Sequence, residues 1–453
     1  MRRAPVVAYS ALLLACACRD SAAPVLPAAL IIPDSVVVFE SDSILLHAQV
    51  TDSSGHQVTG QTVLWFSGDT SIASVSAAGV VHFTGVGRTF VAALAGGLSG
   101  RTVVTAVLQI QQMDLGSVYA QASPTACAVT VKGSVYCLDT EHGDSLRLLA
   151  TNVGPVKQVA VGTDQACLLT IAGAAYCWGA VTTPVPVMGG HSFESLTTGV
   201  SHVCGLTAAG EAFCWGLNSA GQLGNGDTTV TSSSAPVPVS GALTFRSIAA
   251  GDFQTCGVTT GGAAYCWGSN TALALGSADS TIGRSFTPVA VAVDSPLTAV
   301  SAGALYGCAR TTAGAAWCWG NWQWGQVGVD TADLNTCPTL PSGYVCNHSP
   351  HAVQGGLQFQ QLSAHAGLGN TLNGLTCGLT VSGSAYCWGR NVYGEVGDGS
   401  TIQRDTPVPV AGGLKFSRIV TGDFHACGFA VSGTVYCWGY TLGPVPMRIP
   451  DQP

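Results

Sequence analysis

Between Leu30 and Val107 short apolar and alternating runs are broken by polar turn residues, with no helical apolar spacing sustained. Ser35–Phe39, Ile44–Val50 and Thr62–Phe66 are three such runs. This period-two pattern with frequent breaks predicts strands joined by turns, packed as a β-sandwich. Trp65 falls within one of the runs and is expected in the core between the sheets. From Met113 to the C-terminus the pattern persists but becomes repetitive, with paired strands flanking a Gly-containing turn. The whole chain is therefore expected to be all-β.

Cysteines mark the repeat. Fourteen of the 18 fall into pairs with nine residues between the members. The pairs are Cys127 with Cys137, Cys167 with Cys177, Cys204 with Cys214, Cys256 with Cys266, Cys308 with Cys318, Cys377 with Cys387, and Cys427 with Cys437. Between Cys204 and Cys214 the turn at Gly210 lies midway, so folding about it sets the cysteines opposite each other across a hairpin. Directly opposed residues in a non-hydrogen-bonded pair lie within disulfide reach. Zinc sites commonly use much shorter C-x2-C spacings, which do not occur here. Cross-strand disulfides within each hairpin are the expectation, and they call for an oxidising compartment.

A longer unit surrounds each hairpin. The third reads Cys214-Trp215-Gly216-Leu-Asn218-Ser-Ala-Gly221-Gln222-Leu223-Gly224 and closes with Pro236-Val-Pro-Val239. The sixth repeats it as Cys387-Trp388-Gly389-Arg-Asn391-Val-Tyr-Gly394-Glu-Val-Gly397, then Pro407-Val-Pro-Val410. First cysteines of successive units are 40, 37, 52, 52, 69 and 50 residues apart. A period near 50 with several strands per unit signals a propeller. These residues resemble the regulator of chromosome condensation repeat, which implies a seven-bladed β-propeller over residues 112–453. The first two units lack the Asn-x-x-Gly-Gln-Leu-Gly segment, and Leu138-Asp139 replaces Trp-Gly after Cys137. The earlier segment, with Val50-Thr-Asp-Ser-Ser-Gly55, Trp65-Phe-Ser-Gly-Asp-Thr-Ser-Ile-Ala73 and Val75-Ser-Ala-Ala-Gly-Val-Val81, resembles a bacterial Ig-like group 2 domain over residues 30–108. That resemblance implies a spacer or adhesive module.

Arg2 and Arg3 precede a mostly apolar run from Ala4 to Ala17, which reads as a signal peptide over residues 1–17, followed by a linker over 18–29. Leu13-Leu-Ala-Cys16 resembles a lipobox, with Cys16 the expected lipidated residue and Cys18 the alternative. Export to a bacterial cell envelope or surface follows, by lipid anchor, or secretion if the lipobox is not used. Composition narrows the function. Charged residues are 9%, the net charge is −8, and Lys132, Lys157 and Lys415 are the only lysines, so no phosphate-tracking cationic surface is expected. Nucleic acid is thereby set aside as a partner, and a monomer is expected.

Candidate chemistry is sparse. No G-x-S-x-G, H-E-x-x-H or Gly-Lys-Ser/Thr phosphate loop occurs, so no catalytic residue, cofactor or metal site is assigned. The aromatics on either side of the second cysteine in the last six units, such as Tyr386 and Trp388, share one side of a strand and are expected to pack between blades. His202 and His425 precede first cysteines by two residues and are expected to hydrogen-bond within their blades rather than ring a metal. Asp252 and Asp423, both in Gly-Asp-Phe, are expected to cap turns. The fifth unit carries an insertion between Val329 and Ser349 with one further pair, Cys337 and Cys346, expected to form an eighth disulfide. Trp322, Trp324 and Tyr344, in or beside that insertion, are the candidate partner-binding residues. The function expected is display of a rigid binding face to a protein or glycan outside the cytoplasm. Alternatives are an inhibitory propeller similar to a secreted β-lactamase inhibitory protein, or an enzyme acting on polysaccharide. The nucleotide-exchange activity found in the repeat family fits poorly with export and disulfides.

Overall fold

In the computed structural model the described residues are 26–40, 42–116, 126–139, 145–149, 152–179, 183–277, 279–330, 335–336, 345–365 and 374–449. Cys16, Cys18, Cys337 and Tyr344 lie outside them. The chain divides into two compact units, one of residues 1–38 and 42–106, the other of residues 39–41 and 107–453.

In the first unit, a four-stranded sheet contains Ser35–Phe39, Leu98–Val107, Gly87–Ala95 and Leu64–Ser67 in that spatial order. A three-stranded sheet orders Ser43–Leu45, Val80–Phe83 and Ala73–Val75, and a further pair joins Ala29–Ile31 to Gln49–Thr51. Val38, Val91 and Val104 from the larger sheet share a core with Ala73 and Val81 from the smaller one. Trp65 packs against that core, as expected, and covers the turn at Gly79, where an added Cβ would lie 2.8 Å from its ring.

The second unit is a seven-bladed propeller with blades spanning residues 110–148, 156–186, 195–238, 245–290, 297–352, 359–409 and 416–448. Every blade is an antiparallel sheet, with its strands in consecutive order in all but the fifth; the fourth, for instance, comprises Phe245–Ala250, Gln254–Thr259, Ala264–Ser269 and Arg284–Ala290. No strand is exchanged between the first and last blades among the described residues, and their innermost strands, Ile110–Leu115 and Phe416–Thr421, are in contact.

All seven hairpins are stapled as their spacing predicts. Cys127 bonds to Cys137, Cys167 to Cys177, Cys204 to Cys214 and Cys256 to Cys266. Cys308 bonds to Cys318, Cys377 to Cys387 and Cys427 to Cys437. Each pair consists of register partners on adjacent strands. Their Cα atoms are 4.0–4.1 Å apart. The staples differ in cover: Cys266 and Cys437 are buried, whereas Cys177 and Cys137 are only half-buried, in the two blades with the shortest outer strands. Cys346 is buried and also disulfide-bonded. The insertion does more than decorate the fifth blade: Val345–Ala352 is the strand paired outside its hairpin, and Asn335–Thr336 adds a fifth.

Two devices join blade to blade. In the fourth to seventh blades, the tryptophan after the second cysteine donates its indole N–H to a carbonyl of the preceding blade. The pairs are Trp267 to Gln222 at 3.0 Å, Trp319 to Ala274 at 2.9 Å, Trp388 to Gln326 at 2.9 Å and Trp438 to Glu395 at 2.8 Å. Around the channel, side chains of one innermost strand hold the backbone of the next. Gln112 clamps both main-chain groups of Val159, Gln158 those of Leu196, and Gln361 those of Ile419. A second row runs from Asp114 to the N–H of Val161, Thr197 to Ala250, Ser301 to Ala364 and Ser363 to Thr421. A buried backbone amide left without an acceptor is costly, so each clamp fixes the angle between neighbours.

Candidate partner-binding face

The channel is the first place to look for a ligand site. It encloses about 200 Å³ and is lined by the innermost strands of all seven blades. Most of its polar groups are consumed by the clamps described above. At the seam between the last and first blades the clamp glutamine is replaced by Arg418, electrostatically coupled to Asp114. Burial raises the Asp114 carboxyl above the usual carboxylate range, against the opposing pull of the Val161 N–H, His365 and Arg418.

The histidines and aspartates of the repeat make contacts between blades. His202 is fully buried and its Nε2 lies 2.8 Å from Thr255 Oγ1, in the next blade rather than its own. Thr255 donates its hydroxyl to Gln222 O, so His202 donates to Thr255. Burial pushes His202 down to about 3, so it stays neutral. The same sequence position reaches across blades elsewhere: Gln254 donates to Gly303 O at 2.8 Å, and Tyr306 Oη to Leu375 O at 2.8 Å. At His202 this corrects the expectation of a bond within the blade. Asp423 does not cap a turn as expected; its Oδ1 is 3.3 Å from His365 Nε2. No group of three or more potential metal ligands occurs among the described residues.

Aromatic side chains gather instead on the face formed by the loops between third and fourth strands. Arg390 of the sixth blade lies at the centre, 4.7 Å from the ring of Phe424, 5.0 Å from Tyr393 and 5.8 Å from Trp324. Its Nη1 donates to Glu395 Oε1 at 2.5 Å, and Glu395 also accepts from the Tyr393 N–H at 2.7 Å. Burial raises the Glu395 carboxyl, while those two donors oppose the rise. Tyr393 meets Tyr440 edge-on at 4.9 Å. The cluster thus draws Trp324 from the fifth blade, Tyr393 from the sixth and Phe424 and Tyr440 from the seventh. Trp324, Tyr393 and Tyr440 keep exposed surface; Phe424 is buried beneath them.

Of the three residues singled out from sequence, Trp324 belongs to this face. Trp322 is buried, donates to Val329 O at 3.0 Å and packs with Tyr306, Val327 and the disulfide of Cys308 and Cys318. It occupies the place taken in other blades by Asn218 and Asn391, whose side chains tie the same loop together. Its role is therefore internal. Arg390, Tyr393 and Tyr440 were missed, because their motif positions hold small or different residues in the third blade, Leu217 and Ala220 among them.

The seven disulfide-stapled antiparallel blades define a β-propeller. Residues 209–258 and 382–428 match the regulator of chromosome condensation (RCC1) repeat, and a second description of that repeat matches residues 193–222 and 245–272. The chain's fold is similar to that of Prp20p from Saccharomyces cerevisiae, with TM-score 0.59 at 18% identity over 76% of this chain and 87% of that one. Human WBSCR16 is similar at TM-score 0.57 and 15% identity, over 72% of this chain and 87% of that one. Among curated relatives, human E3 ubiquitin-protein ligase HERC2 is 27% identical over 66% of this chain, a match spanning 5% of HERC2.

Proposed function

We propose that this is an exported, lipid-anchored envelope protein whose propeller presents a rigid face to a protein partner. The observation that carries the reading is the disulfide repeated in all seven blade hairpins. Stable disulfides on this scale belong to oxidising compartments, in keeping with the signal-like N-terminus and lipidation at Cys16. The first unit acts as an Ig-like spacer. The similar Prp20p binds Gsp1p and histones, and yeast RCC1 (Prp20) binds Kap60; here the partner is an envelope or secreted protein. The contact is made by Trp324, Tyr393 and Tyr440. Their rings are held by Arg390 and its Glu395 ion pair, which lowers the ordering cost of binding.

The test is capture of partners by the oxidised full chain from envelope and secreted fractions, comparing wild type with Trp324→Ala and Tyr440→Ala. A protein retained by wild type and weakened at least ~30-fold by either variant, with melting unchanged, is expected for hot-spot residues. A partner retained equally by both variants, or retention of glycan alone, would overturn the reading.

A further inference from the structure

The opposite face of the propeller, formed by the turns between second and third strands, is chemically lopsided. In each blade the turn lies beside the start of an innermost strand. Val131 N–H bonds to Gln109 O, Ile171 N–H to Pro155 O and Val431 N–H to Lys415 O, and the next blade joins on through Val156 N–H to Gly133 O and Phe416 N–H to Gly383 O. Turns and strand starts thus lie side by side on this face.

Along four adjacent blades, the sixth, seventh, first and second, the residue opening the turn is a branched aliphatic. Val381 is 70% exposed, Val431 71%, Val131 51% and Ile171 65%. In the other three blades the same position holds Ala208, Thr260 and Thr312. All three lysines of the chain lie on this arc: Lys132 in the first turn, Lys157 one residue beyond Val156, and Lys415 reaching Ser384 Oγ at 2.6 Å between the sixth and seventh blades. None of the four turns carries an acidic residue. At the edge of the arc, exposed Glu194 pairs with Lys157 at 3.4 Å. A protein with net charge −8 therefore concentrates its ammonium groups where it exposes its aliphatic tips.

We propose that this arc docks on an anionic lipid surface, the four aliphatic tips entering the acyl boundary and the lysines meeting headgroup phosphates. Protein interfaces are anchored by Trp, Tyr and Arg and are poor in Lys, and none of the four turns contains Trp, Tyr or Arg. Protruding aliphatics ringed by lysines instead match the two attractions of a lipid surface, apolar burial and headgroup charge. Docking this way leaves the aromatic face on the other side of the ring free.

The test is flotation of the full chain with vesicles of phosphatidylglycerol and phosphatidylcholine or of phosphatidylcholine alone. Cys16→Ser and Cys18→Ser are included throughout so that no acyl chain contributes. Binding to the anionic vesicles is expected to exceed neutral ones by about tenfold and to weaken in high salt. A variant with Val131→Ser, Ile171→Ser, Val381→Ser and Val431→Ser should lose that excess, as should Lys132→Glu with Lys157→Glu and Lys415→Glu, both with unchanged melting. Equal binding to both vesicle types would overturn the proposal. So would loss in the lysine variant with full retention in the serine variant, since that is charge attraction without docking. The melting comparison shows that each variant is folded, and partner capture through Trp324 reads the opposite face independently.

Discussion

Trp388 donates its indole N–H to the main-chain oxygen of Gln326, 2.9 Å away and 62 residues earlier, in the preceding blade. The same oxygen accepts the Thr376 hydroxyl at 2.8 Å, so one loop carbonyl holds two side chains of the next blade. The apolar stacking and the hydrogen bond are separable. Trp388→Phe removes the bond and keeps most of the burial; it should cost about 1–2 kcal/mol, whereas Trp388→Ala should cost about 3–5 kcal/mol. Urea denaturation midpoints with unchanged m-values check both.

Gly224 sits under the tryptophan of the following blade. Its φ of +67° is in the left-handed region, and an added Cβ would lie 2.6 Å from Trp267 Nε1. Strain and clash act together, so Gly224→Ala should destabilise by about 2 kcal/mol or more. Gly226, also at positive φ but with only a distant neighbour for a Cβ, is the control and should lose less in the same assay.

Replacing Cys204 and Cys214 together by Ala removes one staple, whose partners are 10 residues apart in sequence. Chain entropy predicts a loss of roughly 2–3 kcal/mol. The local blade should open first, so hydrogen exchange of the amides from Val203 to Trp215 should accelerate before global unfolding does.

Buried histidines set a pH dependence. Burial holds His202 at about 3 and His425 at about 4, against 6.5 for an exposed imidazole; a nearby His365 adds to the drop at His425 and Asp423 opposes it. Between those values the unfolded chain binds protons that the folded chain refuses. Stability is therefore full above about pH 6.5 and falls as pH drops toward 4, by roughly 1.4 kcal/mol per unit for each histidine. Asp114 and Glu395, whose carboxyls are raised mainly by burial, act with the opposite sign. Comparing denaturation at pH 7 and 5 for wild type and His202→Gln isolates the histidine part: the variant should show the smaller loss.

The hairpins, their disulfides and the propeller repeat were legible in the sequence because each depends on residues close along the chain. Regular cysteine spacing and alternation around a glycine turn are enough to define a stapled hairpin, and its recurrence defines the blade. The inter-blade clamps were not legible. Gln112 and Val159 are 47 residues apart, and Arg390, Phe424 and Trp324 come from three blades, so only the closed ring brings them together. Trp322 shows the limit from the other side: by type it suggested a binding anchor, yet the fifth blade uses it internally where other blades use asparagine. Local spacing determined the blades of this protein; the meeting of one blade with the next decided which of its aromatic residues are core and which remain on the surface.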